Sequence, residues 1–285
     1  MTDLIVARGL GKSFGTTRAL NDVNFQVGAG RIVGLIGPNG AGKTTALKAL
    51  LGLTRFDGEL SVLGLDPYRQ RHRLMQDVCF IADVAVLPRW IRVSQLIDFV
   101  AATHPKFRRA ICEQFLARSD VKKTSRVKEL SKGMVTQLHL ALVMAIDAKL
   151  LVLNEPTLGL DILMRKQFYE TLLNEYFDEQ RTILVTTHQV EEIEHILTDL
   201  LFIDRGRIVL DATMDEVQEK YTQVSVRPEH VAAARTHQPL AERGGLGRTQ
   251  MLFRDAPRAD LERLGEVGVP SVADLFVAVI QGARA

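Results

Sequence analysis

The stretch that decides the fold is Gly37-Pro38-Asn39-Gly40-Ala41-Gly42-Lys43-Thr44-Thr45. It has the pattern of a phosphate-binding loop, and it lies between an apolar run at 31–36 and a helical pattern at 44–51. Glycines let the backbone turn tightly and point its N–H groups inward, and a helix N-terminus adds a positive partial charge. The stretch therefore predicts a phosphate site in which Lys43 reaches the β- and γ-phosphates and the Thr44 hydroxyl ligates Mg²⁺.

The composition is that of an ordinary globular protein. The chain has 285 residues, of which 46% are hydrophobic and 25% charged, enough for one large domain or one domain plus a smaller one. The formal net charge of +2 argues against nucleic acid, which requires a concentrated basic face. No apolar run approaches the roughly 20 residues of a spanning helix, and the N-terminus does not resemble a signal peptide, so we expect a cytoplasmic chain. Cys79 and Cys112 are expected to be reduced and to pack in the core.

Apolar runs alternate with helical patterns, which indicates an α/β fold. The continuous run Leu150-Leu151-Val152-Leu153 is typical of a central parallel strand that is covered on both faces. The other predicted strands are 4–6, 24–27, 31–36, 60–62, 78–81, 182–186 and 200–204.

Helices are predicted between these strands. Segment 131–148 carries apolar residues at three-to-four spacing, and 89–130 is expected to be mostly helical. Within it, Phe99, Phe107 and Phe115 are predicted to pack inside.

The pattern changes near residue 220. Thr213 and Glu216 form a capping-box pattern that opens a short helix, and Pro and Gly then break the chain into short pieces. Ser271 is expected to cap a final helix. The predicted domains are 1–220, with a helical part at about 84–148, and a small accessory domain at 221–285.

Four further segments stand in a fixed order around the phosphate loop. They are Phe14; Leu130-Ser131-Lys132-Gly133-Met134; Leu150-Leu151-Val152-Leu153-Asn154-Glu155-Pro156; and Leu158-Gly159-Leu160-Asp161 followed by His188. Together with the loop they resemble the ABC ATPase family over about residues 4–220. The resemblance implies an α/β P-loop NTPase cassette with a RecA-like parallel-sheet core, an antiparallel β subdomain and an α-helical subdomain. It also implies that ATP is bound along residues 37–45.

The resemblance assigns roles to the other segments. An aromatic ring at the place of Phe14 stacks on adenine. The Ser131 hydroxyl and the Gly133 N–H grip the γ-phosphate of ATP held by the opposite subunit. From the local sequence, Ser131 fits equally well as a simple helix cap. Glu155 activates the attacking water, and His188 contacts the γ-phosphate.

Three positions depart from the family. It normally has Asp in place of Asn154 and Gln in place of Asp83, and Lys132 replaces a glycine. The resemblance assigns Mg²⁺ contacts to Thr44, Asn154 and Asp83. One hypothesis is that Asp83 takes over part of the metal contact, because Mg²⁺ is generally held by one or two carboxylates plus phosphates and waters. The alternative is that Asp83 faces solvent and Asn154 makes a slow enzyme.

The resemblance implies an ATP-hydrolysing subunit that closes as a homodimer, or as a heterodimer with a related cassette. Its partner would be a separate integral membrane permease of exporter type, at the cytoplasmic face of the membrane, and no nucleic acid is expected. The region around Trp90 is where family members receive the permease, although a tryptophan lies more often in a core. One alternative is a weakly active ATP-binding partner in a heterodimer. Another is a soluble ABC ATPase without a transport role, which the lack of a coiled coil and of a second cassette disfavours.

Overall fold

The computed structural model describes residues 3–81, 87–158, 160–187, 189–245 and 247–282. The strands are β1 (Asp3–Phe14), β2 (Thr17–Gly28), β3 (Ile32–Ile36), β4 (Asp57–Val62), β5 (Val78–Ile81), β6 (Leu150–Asn154), β7 (Thr182–Thr187), β8 (Asp199–Asp204), β9 (Arg207–Thr213), β10 (Tyr221–Val226), β11 (Ala241–Gly244), β12 (Thr249–Arg254) and β13 (Gly265–Gly268). The helices are α1 (Lys43–Leu50), α2 (Arg71–Leu74), α3 (Val93–Thr103), α4 (Arg109–Ala117), α5 (Lys132–Met144), α6 (Ile162–Thr171), α7 (Met214–Lys220), α8 (Val231–Arg235), α9 (Arg258–Leu261) and α10 (Val272–Gly282). Within the described ranges, no helix combines the length and the apolarity needed to cross a membrane.

The central sheet has six strands in the order β5-β6-β7-β3-β8-β9. All neighbours in it are parallel except β8 and β9. β3, β6 and β7 are buried almost throughout, because their continuous apolar runs are covered on both faces. The carboxyl ends of β6, β7 and β3 therefore lie side by side at one edge of the sheet.

A second sheet is antiparallel and has the order β2-β1-β4. The sequence predicts the short strands 4–6, 24–27 and 60–62 there, whereas β1 and β2 each have 12 residues and β4 has six. Register shifts interrupt the pairing of β1 with β2, so the alternation of apolar and polar residues that predicts a strand is also interrupted. The buried face of this sheet packs with α1 into one hydrophobic cluster and completes the support of the phosphate loop.

The helical region α3–α5 has its own hydrophobic cluster, with Phe107 and Phe115 partly buried against it. The prediction that Phe99 packs inside was wrong, because its side chain is 60% exposed. α3 buries the face that carries Val93 and Ile97, and Phe99 lies off this stripe.

The C-terminal residues form a four-stranded antiparallel sheet in the order β11-β12-β10-β13. Its last helix, α10, packs back against the central sheet. The rings of Phe276 and Phe202 meet edge to face with centroids 5.2 Å apart. The N–H of Val272 donates to a carboxylate oxygen of Glu194 at 3.0 Å. Ser271 caps this helix through the N–H of Asp274, as predicted.

Both cysteines and the capping box also agree with the sequence. Cys79 and Cys112 are free thiols and both are buried. The Thr213 hydroxyl accepts from the N–H of Glu216, whose carboxylate accepts from the N–H of Thr213. This capping box fixes the start of α7 directly after β9, the last strand of the six-stranded sheet.

The environment of His139 generates a prediction about pH. This residue of α5 lines the gap between that helix and Pro156, and burial lowers its pKa from 6.5 to about 4. Below pH 6.5 His139 binds a proton in the unfolded chain but not in the folded chain, so stability falls as the pH drops from 6.5 towards 4. The variant His139→Gln lacks this titrating group, so we expect the fall in its free energy of unfolding at acid pH to be smaller by up to about 3 kcal/mol. Urea unfolding at about pH 7 and at about pH 4.5 measures it.

The exposed His195 provides the matched control. If His195→Gln reduces the acid-dependent loss of unfolding free energy as much as His139→Gln does, the prediction is wrong.

Candidate functional site

The phosphate loop leaves the end of β3 through positions where a side chain does not fit. A Cβ on Gly37 would lie 2.3 Å from the carbonyl oxygen of Ile203. A Cβ on Gly42 would lie 2.7 Å from the carbonyl oxygen of Ala19, and Gly42 has a φ of +114°. At the open tip, Gly40 has a φ of +80°, which only glycine adopts readily. Neighbouring backbone therefore fixes the course of the loop.

Lys43 lies beneath this loop, at the first position of α1. Its side chain is buried, and its Nζ donates to the carbonyl oxygens of Gly37 at 2.6 Å and Pro38 at 3.3 Å. Burial lowers the pKa of Lys43, and the negative charge of Glu155 partly opposes that change. The cation thus lies within the electrostatic reach of a carboxylate from the end of β6.

The other loop residues divide into a buried and an exposed set. Ala41 is buried, and its N–H donates to the carbonyl of Pro38 at 3.1 Å, which closes the turn. Asn39 at the tip and Thr44 in the first turn of α1 are exposed, and Thr45 is half-buried. Thr44 therefore lies on the accessible side of the loop.

Asn154 and Glu155 form the end of β6. The Thr186 hydroxyl on β7 donates to Asn154 Oδ1 at 2.8 Å, and the N–H of Glu155 donates to the carbonyl of Thr186 at 2.9 Å. Glu155 has a φ of +48°, in the left-handed region that disfavours side chains. Such a conformation costs about 1–3 kcal/mol, and it persists where the surroundings over-determine it, typically at functional sites.

Ser131 and Gly133 lie on a different part of the molecule, at the N-terminus of α5. Ser131 is the N-cap, and its hydroxyl oxygen accepts from the N–H of Met134 at 3.2 Å. A Cβ on Gly133 would lie 3.5 Å from Met164 Cε. Within the described part of the chain, no hydrogen bond joins this end of α5 to residues 37–45. Lys132 beside them is exposed.

Phe14 ends β1 with its ring on the surface. Its side chain is 53% exposed, and Lys12 Nζ lies 5.1 Å from the ring centroid. The ring offers a flat apolar face. Asp83 and His188 lie outside the described residues, as does Gly159.

The sequence predicts the final helix α10 but not its place at the site, and it does not single out Arg165; the structure brings both to this edge of the sheet. Arg165 hydrogen-bonds to residues on both sides of the site. α10 contributes Phe276 to a cavity of about 500 Å³ whose other walls include Gly37, Pro38 and Gln189. No sequence signal places either one there, because both depend on contacts between residues far apart in the chain.

Comparison with known proteins identifies the family. Residues 20–158 match the family model described as "ABC transporter". The chain is 37% identical over 220 residues to a Nod factor export ATP-binding protein I of Burkholderia lata, covering 72% of this chain and 69% of that protein. It is 25% identical over 263 residues to the ABC transporter ATP-binding protein YtrB of Bacillus subtilis, covering 91% of this chain and 89% of YtrB.

Solved structures show the same architecture. One described as an ATP-binding subunit of an ABC transporter superposes with a TM-score of 0.68 at 26% identity, over 76% of this chain and 92% of its own. These matches agree with the predicted fold: a parallel-sheet core, an antiparallel sheet and a helical region. The chain belongs to the ABC transporter family and is an ATP-binding subunit of its ATPase type.

Proposed function

We propose that this chain hydrolyses ATP together with Mg²⁺, closes as a dimer around the nucleotide, and so drives a separate integral membrane permease of exporter type. The observation that carries the proposal is a buried cation within electrostatic reach of a glutamate whose backbone is strained. Lys43 lies under the phosphate loop, and Glu155 is held two strands away with its charge acting on Lys43. Phosphate binding and water activation require these two groups at one edge of the sheet.

Within one chain, the proposed roles follow from position. The N–H groups of residues 37–45 and the N-terminus of α1 would cradle the phosphates, with Lys43 turning from the Gly37 carbonyl to a phosphate oxygen. Glu155 would orient and deprotonate the attacking water, and His188 would contact the γ-phosphate. The exposed ring of Phe14 would stack on adenine.

The residues present suit Mg²⁺ in kind, because they offer hard oxygen ligands. Thr44 offers an exposed hydroxyl, and Asn154 Oδ1 keeps one lone pair besides the one that accepts from Thr186. Within the described ranges, no group of three or more His, Cys, Asp or Glu side chains could hold a metal by itself. The proposed metal therefore depends on phosphate oxygens, with Asp83 as a further ligand. When bound, it would neutralise charge on those oxygens.

The proposed dimer is supported by what α5 and α6 leave exposed. Ser131 is exposed at the N-terminus of α5, where its hydroxyl and the Gly133 N–H would grip a phosphate from a second chain. The side chains of Ile162 and Leu163 are 81% and 80% exposed, directly after Asp161. Contiguous exposed apolar patches mark interaction surfaces, and these two neighbouring side chains would form part of one. We place the second cassette, identical or related, on this side.

The proposed permease contact is supported by the surface of the helical region. Trp90 does not join the core as tryptophans more often do, because it is 70% exposed. Phe99, one turn before the end of α3, is a second exposed aromatic residue of the helical region. A membrane protein docking here would place the chain at the cytoplasmic face of the membrane.

The first of two predictions from this proposal concerns Glu155→Gln. The amide keeps the shape of the side chain but cannot take a proton, so we expect phosphate release from ATP to fall at least about 100-fold. ATP should still bind, and the unhydrolysed ATP should hold two chains together as a dimer. Colorimetric phosphate release and gel filtration with ATP and Mg²⁺ measure the two effects.

Glu170→Gln, at an exposed position on α6, is the matched control and should behave as the unmodified chain does. The proposal fails if the unmodified chain releases no phosphate, or if Glu155→Gln elutes only as a monomer with ATP and Mg²⁺.

A second prediction concerns the two departures from the family at the metal site. If Asp83 shares the Mg²⁺ contact, Asp83→Asn should raise the Mg²⁺ concentration for half-maximal turnover about 10-fold or more, because a neutral shell binds the ion less tightly. Asn154→Asp should lower that concentration, since an added carboxylate strengthens the shell. Titration of turnover with Mg²⁺ at saturating ATP measures both, and the hypothesis is wrong if neither variant moves the midpoint.

A further inference from the structure

Arg165 of α6 spans the gap between the two loops that leave the ends of β6 and β7. Its Nε donates to the carbonyl oxygen of Leu160 at 2.7 Å, on the segment that follows Glu155. One Nη donates to Gln189 Oε1 at 2.7 Å and also pairs with Glu192 Oε1, both on the turn that follows β7. A single guanidinium therefore touches three acceptors on two separate segments.

Backbone hydrogen bonds within the intervening segment link the residue that Arg165 contacts, Leu160, back towards Glu155. The N–H of Leu158 donates to the carbonyl of Glu155 at 3.2 Å, and the N–H of Leu160 donates to the carbonyl of Thr157 at 3.1 Å. One turn further along α6, the hydroxyls of Tyr169 and Thr157 lie 3.2 Å apart, and both residues are buried. Two residues on the same face of α6, Arg165 and Tyr169, thus hold this segment at Leu160 and Thr157.

The other end of the span is also well defined. The N–H of Gln189 donates to the Thr187 hydroxyl at 2.9 Å, which ties the turn to the last residue of β7. Glu192 has a side chain that is only 27% exposed, and its Oε2 has no hydrogen-bond partner among the described residues. Arg165, at 18% exposure, is its counter-charge. Removing the cation from such a pair would leave a partly buried carboxylate without its counter-charge, which is costly.

We infer that Arg165 is a positioning residue for ATP hydrolysis, which fixes Glu155 relative to the loop that follows β7. The inference rests on the proposed function. Sheet pairing joins Glu155 to Thr186 through a backbone hydrogen bond, and Glu155 holds a disfavoured backbone conformation. Arg165 adds a tie between the segment that follows Glu155 and the turn that follows β7, because its planar fork donates in fixed directions that a flexible ammonium does not reproduce.

The test measures ATP turnover and nucleotide affinity of the purified full chain with Arg165→Gln. We expect kcat to fall about 10- to 100-fold, since a displacement of about 1 Å at a reacting group has effects of that size. The Kd for a fluorescent trinitrophenyl-ATP should stay within about twofold, because Arg165 does not touch the phosphate loop. Lys166→Gln is the matched control, as it removes a cation from the adjacent, exposed position of the same helix.

Two conservative variants separate positioning from charge. Arg165→Lys keeps the charge but loses the fork, so it should restore less than half of the lost kcat. Glu192→Gln removes the charge but keeps an acceptor, so it should retain most of the activity. Full rescue by lysine, or a kcat for Arg165→Gln within twofold of Lys166→Gln, would overturn the inference.

Stability is followed in parallel by thermal unfolding. If Arg165→Gln loses folded structure, a second variant, Gln189→Ala, replaces it in the test. This variant removes only one of the three acceptors, so we expect kcat to fall about threefold at an unchanged melting temperature. An unchanged kcat in that variant also overturns the inference. An inactive unmodified chain contradicts the proposed function itself, whereas an active chain with an active Arg165→Gln variant contradicts this inference alone.

Discussion

The buried ammonium group of Lys43 needs oxygen atoms around it, and the neighbouring structure supplies them. A buried cation without acceptors or a counter-charge is costly, so its partners are as important as the lysine itself. The carbonyls of Gly37 and Pro38 face it, which they can do only because the glycines let the loop pass close to adjoining backbone. The charge of Glu155 reaches it from two strands away. The loop and the strand ends therefore form one electrostatic unit.

That unit is held in place by connections that cross the sheet. Parallel pairing aligns the ends of β6 and β7, and the hydroxyl of Thr186 adds a side-chain bond to Asn154. α6 fixes the segment beyond Glu155 from the other side, through Tyr169 and Arg165. A strained glutamate at the centre of these ties is pre-organised, because its surroundings and not its own preference determine its backbone.

Local chemistry made much of this predictable. Strand 78–81 and the cap at Ser131 follow from apolar runs and capping residues, whose effects extend over a few positions. Phe99 was misplaced because only the neighbours of α3 decide which of its faces is covered. The role of Arg165 depends on a hydrogen bond to Gln189, which lies 24 positions away in the chain, and no rule of sequence spacing predicts such a bond. The sequence thus indicates which residue types meet a phosphate, whereas their supporting residues emerge from the tertiary fold.

The last helix has a consequence for how the molecule can be divided. Phe276, Leu275 and Val272 of α10 share one hydrophobic cluster with Phe202 and Ile193 of the nucleotide-binding part. A chain shortened at residue 220 would leave this apolar surface in water, at roughly 25 cal/mol for every Å² uncovered. The C-terminal residues should consequently stabilise the nucleotide-binding part, and a chain that lacks them should unfold at a lower temperature.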